Sequence, residues 1–392
     1  MKCTACFTVF LLLVATSSTS IAQHLTSAKL YLQQQQYEKA EASALKAVDK
    51  DPEDEEGWFV LGRARYELKK YREMVDAFDK AIAIDPKEHK NEIGQYRLKV
   101  WADSYNAGVR LYNKGRDTAS YFQSAVDSFQ TAIAVMPDSL RVYYVCALAH
   151  YGNQDVNKAI QVLNASLNKN PNGMDELELL GRLHLQLGRD KAAASDTAGS
   201  KQEYALAQET FEKIYALDPT NIENIMRLME LYEQLGMREK ALAMTRDALV
   251  NDPGNGLLRF AHGVFLLKQD KFEESIEELK KVLELGSELG ESTIEDATYN
   301  LGVAYLNWGV AMKEADDKRI EAAMKKGNKN VKEDLSYKKK YEEALPYLEE
   351  ATRMKRNDVT LWQQLGKVYA NLNRLEDMKR AFAVVDSLMK GN

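Results

Sequence analysis

The sequence predicts an all-α protein of about nine consecutive helical hairpins, and two observations carry this prediction. Six of the seven prolines recur at spacings of 34, 51, 34, 48 and 34 residues, and a fixed period of this length is typical of a repeat array. Between the prolines, apolar residues recur at the three- and four-residue spacing that gives a helix one apolar face. Because a single hairpin cannot bury such a face, neighbouring hairpins are expected to stack into a solenoid.

The periodic prolines mark the expected ends of the second helix of each hairpin. These residues are Pro52, Pro86, Pro137, Pro171, Pro219 and Pro253. Each follows an apolar run, and five of them come directly after Asp or Asn. Proline lacks an N–H and disfavours helix in the residue before it. Each is therefore expected to stop one helix before the next begins.

The segment after the first of these prolines shows the repeat pattern most clearly. Its residues are Trp58, Leu61, Gly62, Tyr71, Met74, Phe78, Ala81 and Pro86. This pattern resembles the tetratricopeptide repeat (TPR), in which the two helices pack closest at the glycine. A Cβ at Gly62 is expected to push the two helices apart. The resemblance extends over nine repeats and implies a right-handed superhelix that binds partners on its concave face.

The first 22 residues predict a secretory signal peptide, which leaves residues 23–392 as the solenoid. Lys2 precedes an apolar run from Cys6 to Ala15, and a small-residue cleavage site ends at Ala22. A periplasmic or secreted location follows, with an uncleaved anchor as the alternative. Cys3 and Cys6 lie too early to be the cleavage-site cysteine of a lipoprotein, so lipidation is not expected.

The mature composition argues against several classes of function. The 52 basic and 59 acidic residues left after cleavage give a net charge of −7, which argues against nucleic acid as a partner. No later apolar stretch is long enough to span a membrane.

Cys146 is then the only cysteine, so no disulfide or thiolate metal site is expected, and the thiol is predicted to be buried and inert. His150, His184 and His262 fall on core repeat positions. No cofactor, metal or catalytic residues are therefore predicted.

Four segments lengthen the repeats beyond 34 residues, at about 87–99, 115–121, 188–204 and 312–340. Within the third, the small and polar run KAAASDTAGSK predicts a mobile loop. The fourth is charged and has few helix breakers, which predicts a projecting helical hairpin in repeat eight. Its second arm is predicted as one helix from about Lys332 that bends at Pro346. This layout resembles exported TPR proteins of the Bacteroidota.

The resemblance implies that positions 2, 5, 9 and 12 of each first helix line the concave face. Aromatic residues fill positions 5 and 12 of repeats two to four and position 5 of repeats seven and eight. The residues are Phe59, Tyr66, Tyr105, Tyr112, Tyr144, Tyr151, Phe260 and Tyr299. Such rings suit the binding of a protein or peptide, but they also suit packing between repeats, and both interpretations stay open.

The function that these features predict is a non-catalytic scaffold or adaptor in the periplasm or cell envelope. It would bind a protein or peptide through the aromatic groove or the hairpin of repeat eight. Two alternatives are a structural subunit of an envelope assembly or secretion complex, and an enzyme or ligand receptor whose site the sequence does not reveal.

Overall fold

The computed structural model describes residues 23–328 and 330–390, except for the side chain of Ser287. The described residues contain eighteen α-helices and no strand. They divide into two compact units, Met1–Gln186 (unit 1) and Leu187–Asn392 (unit 2), and the division falls within the ninth helix. The predicted signal peptide, residues 1–22, lies outside the described residues and stays a prediction.

Unit 1 consists of four helical hairpins and the first part of a fifth. Its helices are α1 (23–33), α2 (Tyr37–Lys50), α3 (Glu55–Glu67), α4 (Tyr71–Ile84), α5 (Lys90–Gly115), α6 (Tyr121–Val135), α7 (Leu140–Gly152), α8 (Val156–Lys169) and the start of α9 (Met174–Ala193). Odd-numbered helices are the first helices of the hairpins, and even-numbered helices are the second.

Unit 2 continues the same alternation through repeats six to nine. Its helices are the end of α9, α10 (Thr197–Leu217), α11 (Ile222–Gln234), α12 (Arg238–Asn251), α13 (Gly256–Lys268), α14 (Phe272–Leu285), α15 (Glu291–Lys325), α16 (Tyr337–Met354), α17 (Val359–Asn371) and α18 (Leu375–Lys390). A short 3₁₀ helix, Gly286–Leu289, joins α14 to α15. The prediction of an all-α array of about nine hairpins is therefore confirmed.

The six periodic prolines end second helices as predicted. Each of them lies two residues beyond the last residue of an even-numbered helix, from α2 to α12. After Pro219, the Asn221 side chain accepts a hydrogen bond from the backbone N–H of Asn224 at 3.0 Å and caps α11. This cap satisfies one of the N–H groups that have no partner at the start of a helix.

Small residues on first helices receive large side chains from second helices. A Cβ built on Gly62 would lie 2.3 Å from the ring of Phe78, and one built on Gly108 would lie 2.5 Å from the ring of Phe129. Both rings are fully buried. The close approach predicted for Gly62 is therefore confirmed, and the same contact recurs in the next hairpin of unit 1.

The prediction of a mobile loop within 188–204 is wrong, because this insert lengthens both helices of repeat five. Only residues 194–196 separate α9 from α10. Asp196 caps α10 by accepting the N–H of Gly199 at 2.9 Å, and the Ser200 hydroxyl donates to the carbonyl of Gly188 at 2.8 Å. Lys191 and Glu203 form an ion pair at 2.7 Å across the two helices. These contacts stabilise helix in a segment of small and polar residues.

Of the helical hairpin predicted for 312–340, the first arm is confirmed and the second arm is wrong. Its first arm is helical, since α15 runs to Lys325, but residues 328 and 330–334 are not helical and α16 begins at Tyr337. The prediction of a helix that begins at about Lys332 is therefore wrong. Pro346 still lies well inside α16, where it removes the hydrogen bond to the carbonyl of Glu342.

Side-chain hydrogen bonds to the backbone explain why the second arm is not a helix. Asp316, which is 7% exposed, accepts the backbone N–H of Asp334 at 3.0 Å. Arg319 donates to Asp316 at 2.7 Å and to the carbonyl of Lys332, also at 2.7 Å. Such bonds offer the backbone an alternative to the helix ladder. We call residues 330–336 the return segment, which Asp316 and Arg319 fasten to α15.

Replacing Asp316 with alanine is expected to release the return segment. The change removes two hydrogen bonds to a buried carboxylate, and bonds of this kind contribute about 1.5–3 kcal/mol each. Trypsin should then cut after Lys332 at least about tenfold faster, as measured by mass spectrometry of timed digests. Asp317→Ala, on the neighbouring exposed position of α15, is the matched control. Equal cleavage rates in the two variants would contradict this account of the return segment.

Candidate functional site

A groove lies between α11 and α13, the first helices of repeats six and seven in unit 2. Its volume is about 450 Å³, which falls within the usual size range of ligand sites. We call it the α11–α13 groove. Its lining residues are Glu223, Met226, Arg227, Met229, Glu230, Glu233, Phe260, Ala261, Val264, Phe265 and Lys268.

Helical spacing brings the lining residues to one surface. Glu223, Met226, Glu230 and Glu233 follow at intervals of three and four along α11, so they share one face of that helix. They occupy positions 2, 5, 9 and 12 of the repeat, the set predicted to line the concave face. The opposite wall is formed by α13, where Phe260 and Val264 occupy positions 5 and 9.

The floor of the groove is apolar and partly open. Met226 is 52% exposed, so much of its side chain is free to contact a ligand. Phe260 and Val264 are half-buried and pack against the core of repeats seven to nine. Because that core holds the α13 wall in place, the groove is formed before any ligand enters. Methionine adapts its shape to different apolar partners, and the phenylalanine offers a fixed ring face.

The groove lining carries three glutamates and two cations, and the third glutamate pairs with a cation from outside the lining. Arg227 forms an ion pair with Glu223 within α11, and Lys268 Nζ lies 2.9 Å from Glu233 Oε2 across the groove. Glu230 is paired with Arg189, which comes from α9. Exposed ion pairs of this kind contribute about 0–1 kcal/mol. The groove is thus electrically balanced, and its selectivity depends on apolar contact.

Phe59, predicted as a groove residue, is a packing residue instead. Its side chain is 3% exposed and its ring stacks on His89, with 3.7 Å between the ring centroids. His89 Nε2 also lies 3.7 Å from Glu55 Oε2. The insert before α5 places His89 over the ring, and so removes Phe59 from the surface available to a partner.

Three further tyrosines of unit 1 are half-buried against neighbouring rings. Tyr66 meets Tyr96 edge-on at 4.8 Å between centroids. Tyr105 stacks on Trp101 at 5.4 Å, and Tyr112 lies 5.6 Å from the ring of Phe122. The second pair lies within α5, whereas the third joins α5 to α6. Tyr66 therefore packs against the next repeat, whereas Tyr105 and Tyr112 pack within repeat three, and part of each ring stays open.

Tyr144 and Tyr151, both on α7, differ in their surroundings. Tyr144 is half-buried, and burial raises the pKa of its hydroxyl, with a further increase from the nearby carboxylates Asp175 and Glu178. Tyr151 is exposed. Among the aromatic residues predicted in unit 1, Tyr151 thus presents the most open ring.

In unit 2, the structure separates the two predicted aromatic residues by their environment. Phe260 lines the α11–α13 groove. Tyr299, on α15, packs against the core of repeats seven to nine, and burial raises the pKa of its hydroxyl. Only Phe260 therefore belongs to this groove.

Sequence reasoning missed Met226 and Val264, which supply much of the apolar lining. The signal was present, because they occupy positions 5 and 9 of their repeats. The prediction selected aromatic residues at these positions and passed over aliphatic ones. A groove of mixed rings and aliphatic side chains was therefore not recognised.

The predicted core residues have the expected surroundings. His150, His184 and His262 are all buried, and burial lowers the pKa of His150 and His262. His262 Nδ1 lies 2.7 Å from the hydroxyl of Thr245. Cys146 is buried as predicted, and burial raises the pKa of its thiol to about 12. The thiol is therefore protonated at neutral pH and is a poor nucleophile.

No cluster of three or more His, Cys, Asp or Glu side chains in the described residues could hold a metal ion. None of the described helices is both long and apolar enough to cross a membrane.

Comparisons with known proteins agree with this architecture. A family model described as tetratricopeptide repeat matches residues 25–89 and 147–201. Protein CTR9 homolog of Arabidopsis thaliana is 25% identical over 237 residues, which cover 54% of this chain and 20% of that protein. The chain therefore spans about a fifth of the length of this curated relative.

Several solved structures share the helical-hairpin arrangement at low identity. MamA is 16% identical with a TM-score of 0.37, and the match covers 54% of this chain and 92% of MamA. YrrB is 18% identical with a TM-score of 0.38, covering 60% and 96% of the two chains. A human IFIT1 dimer with PPP-AAAA is 16% identical with a TM-score of 0.38, covering 90% and 69%. At these scores the likeness gives no information about ligands. The described residues form an all-α array of helical hairpins, and residues 25–89 and 147–201 are similar to tetratricopeptide repeats.

Proposed function

We propose that this chain is a non-catalytic protein-binding scaffold, and that its α11–α13 groove binds a peptide segment of a partner protein. The observation that carries the proposal is the open apolar surface at Met226, facing the fixed wall of Phe260 and Val264. TPR folds generally act as scaffolds for protein or peptide partners. A partner segment would place an apolar side chain between these two walls.

The balanced charge of the rim defines the chemistry of this partner segment. The three groove carboxylates, Glu223, Glu230 and Glu233, each already pair with a cation. A strongly acidic or basic peptide would have to displace these pairs without a net electrostatic gain. An uncharged segment with one or two large apolar side chains gains from burial and leaves the pairs intact. The preferred occupant is therefore an apolar peptide segment.

The proposal places the scaffold outside the cytoplasm, in the periplasm or as a secreted protein. Its support is the order of a basic start, an apolar run and a small-residue site within residues 1–22. Intact mass measurement of the exported protein should give a chain that begins at Gln23.

Selection of random twelve-residue peptides displayed on phage, with the full mature chain as bait, tests the peptide proposal. Washing at high salt should leave peptides enriched in Leu, Met, Phe and Ile. Their affinity should change by less than about threefold between 50 and 500 mM NaCl, because apolar contact is insensitive to charge screening. Recovery of only charged peptides, with affinities that collapse at high salt, would overturn the proposed groove chemistry.

A further inference from the structure

A cluster of basic side chains occupies the far end of α15 and the start of the return segment. Its described members are Lys318, Arg319, Lys325, Lys326 and Lys332, and we call this set the basic tip. The only acidic residue between positions 318 and 332 is Glu321. With Lys329, positions 318–332 contain six basic residues and one acidic residue, so this segment carries a net charge of +5. The whole chain has a formal net charge of −6, so the residues outside this segment carry −11.

The length of α15 separates the basic tip from the repeat core. α15 has 35 residues, whereas α13 and α17, the first helices of the neighbouring repeats, have 13 each. The repeat glycine Gly302 is followed by 23 residues in α15, whereas Gly263 and Gly366 are each followed by five residues in their helices. The 18 additional residues toward the tip correspond to about 27 Å at the usual helical rise. Contacts with α16 are still present at Gly309, which approaches Tyr341. Beyond Asp316, the bonds described above join α15 to the return segment.

The basic tip is held in place by a buried carboxylate. Asp316 accepts both Arg319 and the backbone of Asp334, while Arg319 also binds the carbonyl of Lys332. These bonds fix the two sides of the tip to each other. The lysines are therefore presented on a braced framework, which lowers the entropy lost when a partner binds.

Much of the positive charge in the tip is not neutralised within the chain. Lys325 pairs with Glu321 at 2.6 Å, and Arg319 pairs with Asp316 at 2.6 Å. In the described part of the chain, Lys318, Lys326 and Lys332 form no ion pair with a carboxylate. Met324 lies among them and is 55% exposed. The tip therefore combines three unpaired cations with one exposed apolar side chain.

We propose that the basic tip binds an acidic segment of a partner protein. An opposite charge on the partner would neutralise Lys318, Lys326 and Lys332 and would raise the rate of association. A lipid bilayer is less favoured, because stable membrane contact needs a broader apolar face than Met324 offers. The charge of −11 on the rest of the chain also disfavours an extended anionic surface such as a membrane or nucleic acid.

The binding of a fluorescein-labelled twelve-residue glutamate peptide to the full mature chain tests this proposal. Fluorescence anisotropy should show binding at 50 mM NaCl that weakens at least about tenfold at 300 mM NaCl. The triple variant Lys318→Glu, Lys326→Glu, Lys332→Glu should lose at least about tenfold in affinity. A matched control reverses three exposed lysines of unit 2 on other helices, Lys201, Lys213 and Lys390. The control should keep the affinity of the unmodified chain.

Two results would overturn the proposal. Equal losses in the tip variant and the control variant would show that the peptide follows net charge alone. Stronger binding to phosphatidylglycerol vesicles or to a single-stranded oligonucleotide than to the peptide would assign the tip to a different class of partner. Because the α11–α13 groove is expected to bind apolar peptides without salt dependence, failure at the tip leaves the groove proposal unaffected, and the reverse also holds.

Discussion

Replacing Gly62 with alanine is expected to destabilise unit 1 by about 1–3 kcal/mol, the usual effect of overpacking a dense core. The added Cβ would lie 2.3 and 2.4 Å from two ring atoms of Phe78. That ring is fully buried between the helices of its hairpin, so it cannot move aside without disturbing its neighbours. The midpoint of urea unfolding, followed by circular dichroism, should therefore fall.

Gly94→Ala is the matched control for this substitution. Gly94 also lies within a helix of unit 1, but a Cβ built there has no neighbour within 4 Å. Alanine inside a helix is more stable than glycine by about 0.5–1 kcal/mol, so this variant should be slightly more stable than the unmodified chain. The same chemical change is thus expected to have opposite effects at two sites. Effects of the same sign would contradict the packing described for Gly62.

The architecture could be predicted from the sequence because it depends on local features. A proline stops a helix wherever it occurs, and the six periodic prolines lie two residues beyond helix ends throughout the chain. The glycine that admits a large ring recurs at the same place in successive hairpins, as Gly62 and Gly108 show. Both signals can be read without knowing the tertiary structure.

The inserts could not be predicted in the same way, because tertiary hydrogen bonds determine their form. The segment KAAASDTAGSK has the composition of a loop, yet Ser200 and Asp196 hold it as the end of a helical hairpin. The charged second arm of repeat eight has the spacing of a helix, yet Asp316 captures its backbone. The bonds from Ser200 to Gly188 and from Asp334 to Asp316 join residues 12 and 18 apart, and composition alone does not reveal them.

The aromatic positions show the same limit at the level of the site. Phe59 has the position of a groove residue, but His89, thirty residues further along, covers it. Phe260 has the same position in its repeat and lines a groove, because Met226 and Val264 complete an apolar surface around it. Whether a ring binds or packs therefore depends on residues outside its own repeat.

Replacing Met226 with glutamate is expected to abolish most peptide binding at the α11–α13 groove. The new carboxylate would face the apolar wall of Phe260 and Val264, where burial of an unpaired charge is unfavourable. It would also lie three and four residues from Glu223 and Glu230 on the same helix face, and this adds repulsion. Affinity for an apolar peptide should fall at least about tenfold. Because the side chain at this position is half-exposed, the substitution should leave the stability of the fold nearly unchanged.

Val250→Glu provides the matched control for this charge. Val250 lies on α12 in the same unit, is 73% exposed and does not line the groove. The substitution adds the same carboxylate to an open apolar side chain. Its effect on peptide binding should therefore be less than about twofold, and both variants should unfold at nearly the temperature of the unmodified protein.

The measurement that tests the groove most directly is the dissociation constant of one labelled apolar peptide from the phage selection. Fluorescence anisotropy would compare the unmodified chain, Met226→Glu and Val250→Glu at 500 mM NaCl, where charge effects are largely screened. The groove account predicts at least about a tenfold loss for Met226→Glu and little change for Val250→Glu. Unchanged affinity in Met226→Glu, with all three proteins equally folded, would show that apolar peptides bind elsewhere on this chain.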